Sequence, residues 1–215
     1  MTNPTPRPDS VLTVREARRD QLPQLAQLAG ATFADMDLWR WLIPDSRRRP
    51  ALTTATLRSS LADVHARDGR LLVAEVNGRV LGVAAWAAPG QAAPHRWRSL
   101  LAAPGMLRAG DRASLRLLGQ RGPFMERAMR RVHPVVPHWY LGLLTVSPAA
   151  QTSGAGSALV HAGLELADRD RLPAYLECEP HLRSYYARFG FVPTERIDLG
   201  ADGPDHYSML RPAPR

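Results

Sequence analysis

Seven consecutive residues carry the clearest chemical signal in this chain: Gln151-Thr152-Ser153-Gly154-Ala155-Gly156-Ser157. Before them lies an apolar stretch of strand formers, residues 139–146, closed by the turn-forming pair Ser147-Pro148. After them Leu159, Val160, Ala162, Gly163, Leu164 and Leu166 recur at helical spacing. A strand that feeds a glycine turn opening a helix leaves the first N–H groups of that helix without partners, and the helix dipole adds partial positive charge there. Glycines at positions 154 and 156 let a ligand approach the backbone closely. The chemistry implied is capture of an anion such as phosphate or pyrophosphate. The competing reading is a glycine-punctuated helix start with no ligand, and two glycines alone do not reject it.

Other glycine turns fit less well. A P-loop needs G-x-x-x-x-G-K-[ST], and the chain has no lysine. A dinucleotide fingerprint needs a third glycine; Leu159 stands where it would fall, and the turn comes late in the chain. Gln151, Gly154 and Gly156 do match the Q/R-x-x-G-x-G/A turn of the GNAT acyltransferase superfamily. Leu144-Thr145-Val146-Ser147-Pro148 resembles that superfamily's fourth strand and its exit, and Tyr186-Ala187-Arg188-Phe189-Gly190-Phe191 resembles the Y-x-x-x-G-F signature that follows its fifth. The resemblance covers residues 11–210 loosely and is specific over 144–157 and 177–191. These two stretches occur in the right order, about one crossover apart.

The resemblance implies an α/β fold: a mixed, mostly antiparallel twisted sheet, splayed between strands four and five and flanked by helices. It implies an acetyl-CoA-dependent N-acetyltransferase, with the cofactor held along Leu144, Thr145 and Val146 and by the turn Gln151, Thr152, Ser153, Gly154, Ala155, Gly156 and Ser157. The reaction sets its own requirements. The amine must be neutral to attack a thioester, so a base takes a proton directly or through water. Attack creates an oxyanion that oriented N–H groups stabilise, and the departing thiolate benefits from an acid. The resemblance places Tyr186 beside the CoA sulfur as that acid, with Tyr185 packed elsewhere. It offers Glu177 as the base, against a surface ion pair with an arginine as the plain alternative and Glu179 or a water as competitors. Three positions depart from the family pattern: Thr152 and Ser153 replace the usual basic or glycine residues, and Glu179 stands where many relatives have an asparagine.

The segments FADMDLWRWLIPD and HWYLGLLTVSP are similar to the bacterial small-molecule branch that includes puromycin acetyltransferase. That likeness points to a small amine as acceptor and to Trp39, Trp41 and Trp139 on its pocket. A CoA-binding sensor without transfer activity and a protein N-terminal or lysine acetyltransferase are the alternatives.

The elements that must position these residues follow the chain. Residues 1–10, with three prolines, read as a flexible tail, and 11–215 as one domain. Residues 11–15 alternate like a strand, and Asp20 looks like the N-cap of a helix with Leu22, Leu25, Leu28 and Ala29 on one face. Residues 51–67 read as a helix. Residues 70–76 and 79–86 read as strands joined by Asn77-Gly78, a strong hairpin signal. Residues 96–133 read as a helical insertion interrupted at Pro104-Gly105 and Gly122-Pro123, able to shape the acceptor site or to support a homodimer. Residues 173–178 form a short strand parallel to 139–146, and 197–199 with 206–210 a last hairpin.

Composition excludes little else. Hydrophobic content is 45%, and no apolar run is long enough for a membrane span. The net charge of +8 rests entirely on arginines scattered along the chain, which argues against a nucleic-acid face and suits a polyanionic cofactor. The lone Cys178 and the lack of an apolar leader point to the cytoplasm. The seven histidines show no metal-ligand spacing, so no metal is expected.

Overall fold

Asn77 and Gly78 both take positive φ, 52° and 75°, as a two-residue hairpin turn requires. They join β2 (Arg70–Val76) to β3 (Arg79–Ala87). In the computed structural model, which describes residues 11–91 and 104–214, this hairpin belongs to a seven-stranded sheet. Its other strands are β1 (Thr13–Glu16), β4 (Trp139–Val146), β5 (Ala174–Cys178), β6 (Val192–Ile197) and β7 (His206–Arg211). The order is β1-β2-β3-β4-β5-β7-β6. Neighbours are antiparallel except β4 and β5, which a helical crossover makes parallel.

Helices cover both faces. On one side α1 (Leu22–Phe33), α2 (Asp37–Leu42), α3 (Arg49–Ala66), α4 (Pro104–Ala109) and α5 (Arg112–Val132) bury Leu25, Trp39, Leu52, Met106 and Leu118 against Leu71, Val73, Val83 and Leu143. On the other, α6 (Ala155–Asp170) and α7 (Arg183–Ala187) pack on Leu72, Ala84, Trp86, Leu141, Leu176 and Met209. Helix α6 sits unusually close at Gly163, where an ideal Cβ would fall 1.9 Å from the Trp86 ring. The indole occupies the space a side chain would need.

The feature that opens the site is a bulge in β4. Ala85 pairs with Leu143 but Trp86 pairs with Leu141, so Gly142 is left over. Alternation reverses there. Trp139 and Leu141 face α6 before the bulge, Leu144 and Val146 after it, and Leu143 turns to the opposite layer. Strand β5 stays on β4 only as far as the Leu141–Leu176 pair. Residues 143–146 therefore pair with β3 alone, and the two parallel strands splay apart.

Two local expectations differ from the structure. Asp20 does not cap α1; it lies in a 3-10 turn, Arg19–Gln21, and pairs with Arg18. Gly122-Pro123 does not interrupt the insertion, because α5 runs through it. Burial of Leu118, Met125 and Met129 along that helix outweighs the roughly 3 kcal/mol a mid-helix proline costs. The helix break falls at Gly110 and Asp111, where the Asp111 carboxylate accepts the Ser114 N–H at 2.8 Å. Pro104 opens α4, where its missing N–H costs nothing. The expected tail 1–10 and the insertion's first residues, 96–103, lie outside the described residues.

Candidate active site

The splay of β4 from β5 opens a cavity of about 690 Å³. At one end lies the glycine turn. Gly154 takes φ 82°, a left-handed conformation that suits glycine, and forms the N-cap of α6. The first intrahelical bond runs from the Ala158 N–H to the Gly154 carbonyl, 3.0 Å. Ahead of it, Ser153 Oγ accepts the Ala155 N–H at 3.3 Å and donates to the Ala150 carbonyl at 2.7 Å. The Gly156 and Ser157 N–H groups have no acceptor among the described residues, and both residues line the cavity. Two bare N–H groups at a helix start, beside a stretch of β4 left unpaired on its β5 side, fit the phosphates and amide-bearing arm of CoA.

Of the expected cofactor residues, Leu144, Thr145, Val146, Gln151, Thr152, Gly154, Gly156 and Ser157 line the cavity. Ser153 and the buried Ala155 brace the turn from behind. Tyr185 does not face elsewhere. It lines the same cavity, and its hydroxyl would lie 2.8 Å from a Cβ at Gly156. Close packing by that ring, as well as access to the backbone, is why position 156 needs glycine. Arg188 stacks on Tyr185 at 4.9 Å and brings a positive charge to this end, the charge that Thr152 and Ser153 lack.

Midway along the cavity stands Tyr186, 7% exposed. Burial raises its pKa, so the phenol keeps its proton at any physiological pH. Cys178 beside it is buried, which pushes its thiol up to about 12. A neutral thiol makes a poor nucleophile.

Glu177 occupies the far end. Its side chain is 5% exposed and faces His133, with Nδ1 3.5 Å from Oε1, rather than a surface arginine. The β4–β5 register sets Tyr140 opposite Tyr175, and the β5–β7 register sets Glu177 opposite Ser208. Period-two alternation then places Tyr140, Tyr175, Glu177, His206 and Ser208 on one face. Burial first, and the Glu177 carboxylate second, raise both phenols. Burial lowers His206 to about 4, so its ring is neutral. Glu179 is buried away from the cavity and accepts the Leu38 N–H at 3.1 Å, tying α2 to the end of β5.

The three tryptophans separate. Trp39 lines the cavity with Phe33, Met36, Leu42, Met125 and Met129. Trp41, two residues on along the same helix, points away and stacks on Arg121 at 5.2 Å. Trp139 precedes the bulge and so faces α6, buried, with its Nε1–H on Asp170 Oδ2 at 2.8 Å. Cavity residues not foreseen include Tyr140, His206 and Arg188, with His133 behind Glu177; alternation in HWYL, AYLEC and HYSML is the signal that links Tyr140 and His206 to Glu177.

The residue pattern of the acetyltransferase (GNAT) family matches residues 34–191, and the chain belongs to that family. By that family it is an acetyltransferase. Among solved structures, the histone acetyltransferase HPA2 and related acetyltransferase of Corynebacterium glutamicum is similar at 27% identity, TM-score 0.65, over 96% of this chain and 98% of that one. A putative GNAT acetyltransferase of Desulfovibrio desulfuricans shares the fold at 13% identity, TM-score 0.55, over 93% and 98%. So does yncA, a putative acetyltransferase of Salmonella typhimurium solved with acetyl-CoA, at 16% identity, TM-score 0.54, over 93% and 92%. Among the described residues no helix is long and apolar enough to cross a membrane.

Proposed function

We propose that this chain, as a single domain over residues 11–215, acetylates the primary amine of a small, largely apolar molecule by direct attack in a ternary complex. The same reading takes it as a member of the bacterial small-molecule branch acting in the cytoplasm. One observation carries the reading. Phe33, Met36, Trp39, Leu42, Met125 and Met129 line the cavity together, and Glu177 is the single carboxylate among its described lining residues. Such a compartment suits an apolar amine better than a peptide, which needs an open groove with polar backbone partners.

Bound acetyl-CoA supplies an acyl group already activated as a thioester. The Gly156 and Ser157 N–H groups, with Arg188, hold its phosphates. Glu177 takes the amine proton, and Tyr186 gives a proton to the sulfur. The test is release of CoA thiol from acetyl-CoA with phenethylamine and related amines, against peptide N-termini and lysine peptides. Turnover of the small amines is expected. Transfer to peptides alone overturns the acceptor class, and CoA binding without transfer to any amine makes the chain a sensor.

A further inference from the structure

Half of the chain's six methionines, Met36, Met125 and Met129, line the cavity. Met106 and Met209 are instead enclosed, each 0% exposed, with the Thr56 hydroxyl 3.4 Å from the Met106 sulfur. An enclosed methionine fills a fixed gap. One that borders a cavity turns an unbranched chain with three rotatable bonds and a polarizable sulfur toward a ligand, and re-packs to the ligand's shape. Phe33 and Trp39, with two side-chain torsions each, are the stiff part of the same lining.

Position ties the three methionines to the acceptor. They pack in the helical layer opposite the one to which α6 and the glycine turn belong. Met129 lies one turn before His133, and His133 Nδ1 is 3.5 Å from Glu177 Oε1. The methionine wall therefore meets the end of the cavity where the amine gives up its proton.

The backbone behind two of them yields as well. Helix α5 carries Gly119, Gly122 and Pro123 within the two turns before Met125. Both glycines raise the entropy lost on forming a helix, and Pro123 has no N–H to give the Gly119 carbonyl. Helices bend at such points. Ahead of the weak stretch, Arg121 fastens α5 to α2 through the carbonyl and the ring of Trp41. Beyond it, residues 124–132 carry Met125 and Met129.

We propose that Met36, Met125 and Met129, with the stretch from Gly119 to Pro123 behind two of them, form an adaptable wall that gives the acceptor site a broad range: primary amines whose apolar parts are flat, puckered or branched. The inference rests on the acceptor being a small amine. A stiff apolar pocket separates acceptors that differ by one methylene by ~10–200-fold. Here the thioethers and the bend in α5 take up such differences. Glu177 reads the amine, and the wall fits whatever the amine is attached to.

The first test needs no acceptor. Carbon-13 labels on the methionine methyls of the full-length chain will show Met36, Met125 and Met129 averaging over rotamers on the ps–ns timescale, with Met106 and Met209 ordered. Equal order in the two groups overturns the inference and leaves the small-amine reading intact. The second test measures kcat/KM for phenethylamine, 2-cyclohexylethylamine, 3,3-dimethylbutylamine and tryptamine, which share a two-carbon spacer between amine and apolar group. The native chain will hold all four within ~10-fold of one another. Changing Met36→Leu, Met125→Leu and Met129→Leu together keeps volume but puts a branched chain in place of each thioether. The spread will widen to ~10²-fold, with CoA affinity unchanged by calorimetry. Pro123→Ala restores the bond to Gly119 and leaves the lining side chains alone, so it tests the wall even where the triple variant does not fold. It will raise the melting temperature and widen the spread in the same direction. A steep series in the native chain overturns the inference, as does an unchanged spread in either folded variant. Transfer to peptides alone overturns the small-amine reading and the inference with it.

Discussion

The turn end of the cavity is assembled from seven consecutive residues and works through backbone N–H groups, whereas the Glu177 end draws side chains from β4, β5, β7 and the loop after α5. The first depends on conformation: Gly154 at φ 82° and the start of α6. The second depends on chemical identity, since Glu177, two phenols that keep their protons and the neutral His206 ring are set side by side. A local backbone site tolerates side-chain change where φ and space permit. A site built by sheet register does not tolerate isosteres that alter protonation.

The sharpest way to break this contrast is at the protons. Glu177→Gln preserves volume and should lower turnover by ~10²–10⁴ while removing the acidic limb of the pH–rate profile. An amine of low pKa, already neutral, escapes part of the defect. Tyr186→Phe keeps the ring against Phe191 and should lose rate with CoA affinity unchanged, and full activity would make the tyrosine a packing residue. Stability is the next readout. His206 is held near 4 by burial against 6.5 when unfolded. The unfolded chain therefore binds the extra proton between those values, and His206 contributes a loss on the order of 3 kcal/mol as pH falls from about 6.5 to 4. His206→Gln should flatten that slope in urea melts at a series of pH values, and an unaltered slope would assign it to other groups such as His138.

Smaller effects sharpen the turn end. A Cβ at Gly154 meets nothing within 4 Å, so Gly154→Val pays only in backbone strain, roughly 1–3 kcal/mol. It should displace the bare N–H groups and weaken CoA binding by calorimetry; Gly154→Asn, which tolerates positive φ, should recover most of it. Unchanged affinity in a folded Gly154→Val protein removes the turn from the site. The smallest effect separates the two tryptophans of α2. Trp41→Leu loses its stacking on Arg121, about 0.5–1 kcal/mol, with kinetics intact. Trp39→Leu should raise the acceptor KM, and equal kinetic changes in both would mean that the cavity wall is misassigned.

What could be read from the residues follows the same division. The hairpin at Asn77-Gly78, helix α3 and the turn before α6 are local, and their boundaries came within a few residues. Gly142 was illegible because one unpaired residue leaves no periodic trace, yet it reverses which side chains face which layer. The likeness of its segment points Trp139 at the acceptor pocket, yet before the bulge it belongs to the α6 core. Gly122-Pro123 looked like a break because local propensity ignores what Leu118, Met125 and Met129 bury. Tyr185 and Tyr186 looked like opposite faces, but a helix of five residues presents both to the same cavity. Tyr140, Tyr175 and His206 became a group only through pairings between strands far apart in sequence.

The indole of Trp86 seated where Gly163 has no side chain has a consequence for how relatives diverge. Gly163 lies seven residues past Gly156, about 10 Å along the same helix. A methyl group at 163 would lift α6 from the sheet and carry the anion-binding turn with it, although neither residue touches that site. The two positions are therefore historically entangled. A lineage that gains a side chain at 163 must first, or at once, shrink the residue at 86, and an alignment of relatives will show them covarying.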